Sequence, residues 1–209
     1  MQLTPSDIRL YFKPSECDLR VYLDHQSVEG AEPSPYSEVL KRLGKRHEQA
    51  HLRTFENVSD LSANDDEATK ILVAAGATVI YQPLLKTSLR IAGIDCEVVG
   101  RPDFLIKDEL GYRIRDSKIT RRITKKDHPE IILQLQLYGW LFERVFGIPA
   151  SALEVHNGPG AIVPVEYEGP DAVVDALREI VLIRKLAEEP FSPVGSFSFC
   201  SRKTSIFMR

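Results

Sequence analysis

Cysteine is almost missing from this chain. Only Cys17, Cys96 and Cys200 occur in 209 residues. An odd, sparse set cannot build a disulfide framework, and it points to a reducing cytoplasm. No stretch approaches the roughly 18 uninterrupted apolar residues of a membrane span, so no membrane role is expected. The opening Met-Gln-Leu-Thr-Pro-Ser-Asp lacks a basic run followed by an apolar core and does not read as a secretory signal. There is no internal repeat and no low-complexity segment. Positive charge is not in excess either. Lys and Arg number 27 against 30 Asp and Glu, a net charge of -3. Whole-surface attraction to nucleic acid is therefore excluded, and any such binding has to be local.

What is present fits one soluble globular domain, with 43% hydrophobic and 27% charged residues. The domain spans residues 1–209. Its core covers about 36–168, with an N-terminal helical segment over 4–30 and a C-terminal helix and tail over 169–209 packed on it. Thr4-Pro-Ser-Asp predicts a helix start, with a short helix to Phe12. Lys13-Pro-Ser breaks it, and Ser15 is the candidate cap of a second helix over Glu16–Leu23. Gly30 to Pro35 is a loop. Ser37 to Phe55 reads as a long helix in which Val39, Leu40, Leu43, His47 and Ala50 form the inward stripe. Asn57 to Asp66 reads as a polar turn, and Asp65 or Asp66 starts a helix ending near Gly76. Strands follow over Thr78–Pro83 and Leu84–Ile91. A helix over Pro129–Phe146 buries a stripe of Ile131, Gln134, Leu135, Tyr138, Leu141, Phe142 and Val145, stopped by Gly147-Ile-Pro. Leu153–His156 and Ile162–Tyr167 flank an Asn-Gly-Pro-Gly turn. A last helix runs from Gly169-Pro-Asp171 to Ala187. The tail from Pro190 is rich in Pro, Ser and Phe.

The stretch from Gly100 to Thr120 organises the rest. It reads as two strands around a turn at Asp108–Gly111. On the first, Cys96, Val98, Gly100, Pro102, Phe104 and Ile106 share one face, and Glu97, Val99, Arg101, Asp103 and Leu105 the other. On the second, Tyr112, Ile114, Asp116 and Lys118 share a face. Two apolar residues thus run into a carboxylate and an ammonium, and a charge pair at a strand end is costly without partners. Asp103 on the neighbouring strand supplies a second carboxylate. Two acids and a lysine at one sheet end make a divalent-metal site with a cation beside it. The plainer reading is a surface hairpin carrying an Asp–Lys pair. From Arg113 to Lys126, seven Lys and Arg stand against one acid, Asp116, a local reversal of the chain's acidic balance. Arg121, Arg122, Lys125 and Lys126 on the connector are placed to hold a DNA backbone, or else form a solvated loop.

The order Gly44-Lys-Arg-His47-Glu48, Gly100-Arg-Pro-Asp103, Asp116-Ser-Lys118 and Gln134-Leu-Gln-Leu-Tyr138 resembles the RecB-like branch of the PD-(D/E)XK nuclease superfamily, which includes CRISPR-associated RecB-type nucleases and nuclease domains of recombination helicases. The resemblance spans roughly residues 4–145. It implies an α/β fold with a restriction-endonuclease-like core, a central mixed β-sheet flanked by α-helices and a metal site at one sheet end. It implies a metal-dependent deoxyribonuclease of exonuclease type, acting on DNA in repair, recombination or CRISPR defence, with a helicase or other nuclease-complex subunit as partner.

Asp103 and Asp116 would be metal ligands, joined by the Ser117 backbone carbonyl and His47. The ion would be Mg²⁺ or Mn²⁺; oxygen ligands suit both, and an imidazole suits Mn²⁺ better. Lys118 would orient or deprotonate the attacking water or neutralise developing charge. Gln134 and Tyr138 would line the site. His47 read alone is a satisfied core histidine. Glu48 beside it reads as solvated, and His128 is assigned nothing. Many members of the branch hold an iron–sulfur cluster with one upstream and three C-terminal cysteines. Cys17 sits at the upstream position, but Cys200 alone represents the C-terminal set, so no cluster is expected in this chain. The alternative function is a weak or inactive DNA-binding module of the same fold; a second is a scaffold or interaction domain.

Overall fold

A computed structural model describes residues 1–13, 16–28, 30 and 32–188 of the chain. In order they form β1 (Gln2–Leu3), α1 (Pro5–Phe12), α2 (Asp18–His25), α3 (Pro35–Leu52), β2 (Val58–Asp60), α4 (Asp66–Ala74), β3 (Val79–Tyr81), β4 (Leu85–Ile91), β5 (Ile94–Gly100), β6 (Phe104–Asp108), β7 (Gly111–Ser117), α5 (Pro129–Phe146), β8 (Ala152–His156), β9 (Ile162–Val165) and α6 (Asp171–Glu188). The proposed Ser15 cap, Cys200 and the tail from Pro190 lie outside the described residues.

Local chemistry accounts for the helix ends. The Thr4 N–H donates to the Asp7 carboxylate at 2.6 Å, and Pro5 takes the first position of α1, where no N–H is needed. Ser34 accepts from the Ser37 N–H ahead of Pro35, so α3 starts two residues earlier than the sequence predicts. Asp65 caps α4 by accepting from the Ala68 N–H. Gly147 ends α5 with φ +72°, a left-handed conformation that favours glycine.

The strands make two sheets. A mixed six-stranded sheet has the order β2-β3-β6-β7-β8-β9, and a smaller one the order β1-β5-β4. In the large sheet β3, β6 and β7 are successively antiparallel, while β8 runs parallel to β7 after the crossover through α5. Ile80, Leu105 and Ile114 join the main core with α5, and Val79, Tyr81 and Phe104 join a second cluster with Leu52 and Phe55 beside α3. The sheet is thus covered on both faces, helix α5 on one and the end of α3 on the other.

Four expectations are corrected. The continuous strand from Cys96 to Ile106 is broken at Arg101-Pro102-Asp103, with β5 in the small sheet and β6 in the large one. Pro102 cannot donate to a ladder, and Arg101 is drawn aside to the carbonyls of Leu61, Gln82 and Asn64 at 2.7, 2.5 and 2.9 Å. The turn region after Asn57 contains β2, paired parallel with β3. Helix α5 is buried nearly all round, Leu133, Leu137 and Trp140 included, because strands cover one side and α1 and α6 the other. The α3 stripe fails: Val39, Leu40 and Leu43 in its first half are exposed, and so is Ala50 near its end. Only the C-terminal turns of α3 reach the sheet.

Candidate active site

Asp103 follows the sheet break, and Asp116 lies on β7 facing α5. Gly100 makes the junction possible. A Cβ there would sit 2.7 Å from Leu141 Cδ1 and 3.0 Å from the Tyr138 ring, so only a residue without a side chain lets the end of β5 reach α5. The two acids meet through the backbone, where Ser117 N–H donates to Asp103 Oδ2 at 2.7 Å. Lys118 makes an ion pair with Asp116, which is 2% exposed. The Asp116 oxygen that Lys118 meets, Oδ2, is buried, and Lys118 is its partner among the described residues.

The electrostatics follow from this crowding. Burial, then Asp116 and Glu48, push the Asp103 carboxyl well above the usual aspartate range, against the opposing pull of Lys118 and the Ser117 N–H. Burial draws the Lys118 ammonium down, but Asp116 and Asp103 outweigh it and the net shift is upward. Lys118 is therefore a cation, and it is the counter-charge that lets two acids share this corner.

Ser117 and Lys118 open onto a cleft of about 520 Å³, walled also by Arg9, Leu40, Lys41 and Gln134. Gln134 and Tyr138 lie four apart on α5 as the sequence requires, yet they engage each other first. Gln134 Nε2 donates to the Tyr138 hydroxyl at 2.8 Å, and that hydroxyl donates to the Arg101 carbonyl at 3.2 Å. Tyr138 thus fixes the loop leading into Asp103. Burial first, then Asp116 and Asp103, raise its phenol far above the ordinary tyrosine value.

His47 is brought to the same sheet end but not against the aspartates. Its Nε2 lies 3.2 Å from the His156 carbonyl, and its ring stacks on His156 at 4.4 Å. His51 stacks on the other side of His156 at 3.8 Å, giving a pile of three imidazoles. Arg115 closes the pile, 3.3 Å from His51 Nε2 and bonded to Glu154 through two nitrogens at 2.9 and 2.7 Å. Burial, then His156, Arg115 and His47, hold His51 down at about 4.

Glu48 is a correction at the site. It is partly buried and bonded to the protein: its Oε1 accepts from the Tyr81 hydroxyl at 2.5 Å and from Gln82 Nε2 at 3.0 Å. His128 is likewise bonded, to Glu130 at 3.1 Å and to Thr120 at 2.9 Å. On the connector, Arg121, Arg122 and Lys126 are exposed, and Lys125 is paired with Glu168 on a separate groove.

The PD-(D/E)XK nuclease superfamily profile matches residues 13–202. The chain belongs to this superfamily. Its mixed sheet between helices is the restriction-endonuclease-like fold. No curated protein matches the chain. A solved structure described as "Crystal structure of SSO0001" is similar at 16% identity, covering 70% of this chain and 86% of that chain, with a TM-score of 0.40.

PD-(D/E)XK nucleases generally use divalent metals. Among the described residues, no three His, Cys, Asp or Glu side chains are grouped to hold an ion as they stand. Asp103 and Asp116 still fit one, because two carboxylates converge at this corner and, among the described residues, the buried Asp116 Oδ2 has just the Lys118 ammonium beside it. Cys17 and Cys96 are buried far apart in sequence, on the approach to α2 and on β5. Among the described residues no helix is long and apolar enough to cross a membrane.

Sequence reasoning missed Gln82, Tyr81, His51 and His156. Tyr81 ends, and Gln82 follows, a three-residue strand too short to show alternation. His51 is four residues from His47 on α3, a spacing that does place them on one face, and that signal was available.

Proposed function

We propose that this superfamily member is a metal-dependent deoxyribonuclease of the RecB-like branch, hydrolysing DNA phosphodiester bonds as an exonuclease-type enzyme in repair, recombination or CRISPR defence. The observation that carries the reading is the meeting of Asp103, Asp116 and Lys118 beside a cleft, in a chain whose superfamily is built around that trio. Asp103 and Asp116 would hold Mg²⁺ or Mn²⁺, with the Ser117 carbonyl completing the inner set. His47 joins them only if its ring leaves the His156 stack. The bound ion supplies Lewis-acid activation of phosphate and water.

This chain's own residues do the rest. Lys118, charged while the carboxylates are bare, stands where negative charge builds on the phosphate and stabilises it. Tyr138 and Gln134 keep the Asp103 loop in place. Arg9 at the cleft, with Arg121, Arg122 and Lys126 on the connector, supplies cations for a DNA backbone, while Lys13 and Lys41 on the cleft wall are already paired with Glu130 and Glu38. A cytoplasmic setting agrees with the scarcity of cysteine, and a helicase or nuclease-complex partner agrees with the branch.

The test is degradation of plasmid and of linear single-stranded DNA with Mg²⁺, with Mn²⁺ and with chelator. Metal-dependent cutting is expected. Tight binding without cutting in either metal would replace the nuclease with a DNA-binding module, and neither binding nor cutting would favour a scaffold.

A further inference from the structure

Gln82 stands directly after β3 with φ +53°. A left-handed backbone is uncommon for a residue with a β-carbon and costs free energy, so it persists where surrounding contacts impose it. Four contacts impose it here. The Gln82 N–H donates to the Asp103 carbonyl at 2.8 Å. Its own carbonyl accepts from Arg101 at 2.5 Å. Its side-chain amide donates to Asp103 Oδ1 at 3.1 Å and to Glu48 Oε1 at 3.0 Å.

We propose that Gln82 is a positioning residue of the nuclease centre, its amide holding the Asp103 and Glu48 carboxylates side by side without neutralising either. This rests on the nuclease reading. Two carboxylates at one corner repel each other. A lysine between them would remove the repulsion and also the negative field that attracts a cation. A neutral amide with two N–H donors satisfies one oxygen of each acid and leaves their charge intact. Side-chain length matters too. Asparagine adopts the left-handed region more readily, but it is one methylene shorter than the side chain that now spans both acids. Tyr81 donates to the same Glu48 oxygen from the preceding position. The β3 end therefore fixes the α3 acid, while β7 fixes Asp103 through Ser117.

The experiment compares wild type with Gln82→Gly and Gln82→Asn, both suited to the backbone conformation. It reads melting temperature, kcat and KM on DNA, and Mn²⁺ affinity by calorimetry without DNA. Both variants are expected to melt no lower than wild type. Losing an outer partner of a metal-site acid should cut kcat and Mn²⁺ affinity on the order of 10- to 100-fold, with KM for DNA nearly unchanged. Unchanged kcat and Mn²⁺ affinity in either folded variant would overturn the proposal. So would activity lost only in step with the melting temperature, since that is a structural role. Should wild type bind Mn²⁺ and fail to cut DNA, the nuclease reading fails by itself. Calorimetry then still decides on Gln82, with equal affinities counting against it. Failure of wild type to bind Mn²⁺ overturns both.

Discussion

Ser117 donates its backbone N–H to the Asp103 carboxylate across 2.7 Å, tying the strand that carries Asp116 and Lys118 to the loop that carries Asp103. The bond uses main chain on one side, so substitution of Ser117 leaves it in place. It makes the spacing of the two acids a property of the fold rather than of side-chain rotamers.

Asp116→Ala should abolish cleavage while leaving the fold intact. It deletes a metal-binding carboxylate and relieves repulsion with Asp103. Circular dichroism and a plasmid degradation assay check the two halves, and wild-type cutting by a folded variant would show that the site is misassigned.

Lys118→Met should lower the rate on the order of 10²-fold or more, the scale of a positioned charge-stabilising or proton-transfer group. It also leaves Asp103 and Asp116 without their counter-charge, so the cation-free protein should melt lower. Added Mn²⁺ should raise the variant's melting temperature more than the wild type's. A melting temperature indifferent to the substitution would mean another group compensates the acids.

His51 predicts an acid sensitivity. Its imidazole is held down from 6.5 to about 4. Between those values the unfolded chain binds a proton that the native protein refuses, so stability rises with pH through this window and is lost as pH falls through it. His51→Phe keeps a ring against Phe55 and Phe104 and removes the proton. Its urea midpoint should change less between pH 4 and 6.5. Equal slopes would show that His51 titrates normally.

Gly100→Ala places a methyl against Leu141 and the Tyr138 ring. The expected cost is about 1–3 kcal/mol of stability, typical of overpacking, measured by denaturant unfolding. Activity should fall as well, because Tyr138 carries the Arg101 carbonyl.

The connector separates into two kinds of cation. Replacing Arg121, Arg122 and Lys126 by Ala should flatten the salt dependence of DNA binding, by roughly 0.9 per lost contact on duplex or 0.7 on single strands. Lys125→Ala should leave it unchanged, since Lys125 already pairs with Glu168. The measurement is affinity against salt in Ca²⁺. An unaltered slope in the triple variant would make the connector a solvated loop.

Much of the fold was legible because hydrophobic period and caps are local. Pro129 to Gly147 marked α5 to the residue, and Asp108–Gly111 marked the β6–β7 turn. The sheet break at Pro102 was half legible: proline signalled an interruption, but not that the two sides join different sheets. The exposure of Val39, Leu40 and Leu43 was illegible, since an apolar stripe shows where a helix could pack and not whether a neighbour arrives. Within the site, strand alternation put Asp116 on the buried face of β7, whereas Asp103 lies in the break between β5 and β6 and was singled out by its motif, not by alternation. Glu48 and Gln82 could not be read, because their partnership spans 34 residues and depends on how α3 crosses the end of β3.

The anchoring of α3 at one end has a mechanical consequence. His51, Leu52 and Glu48 fasten its last turns, whereas Tyr36, Val39, Leu40 and Leu43 already face water. Unwinding the first turns therefore exposes little new apolar surface, and their amides should exchange with solvent at a small fraction of the global opening free energy. Since Ser37, Leu40 and Lys41 form one lip of the cleft, the molecule pairs a stiff floor with a compliant rim. The width of the mouth can vary from one moment to the next while the carboxylates beneath it stay where β7 holds them.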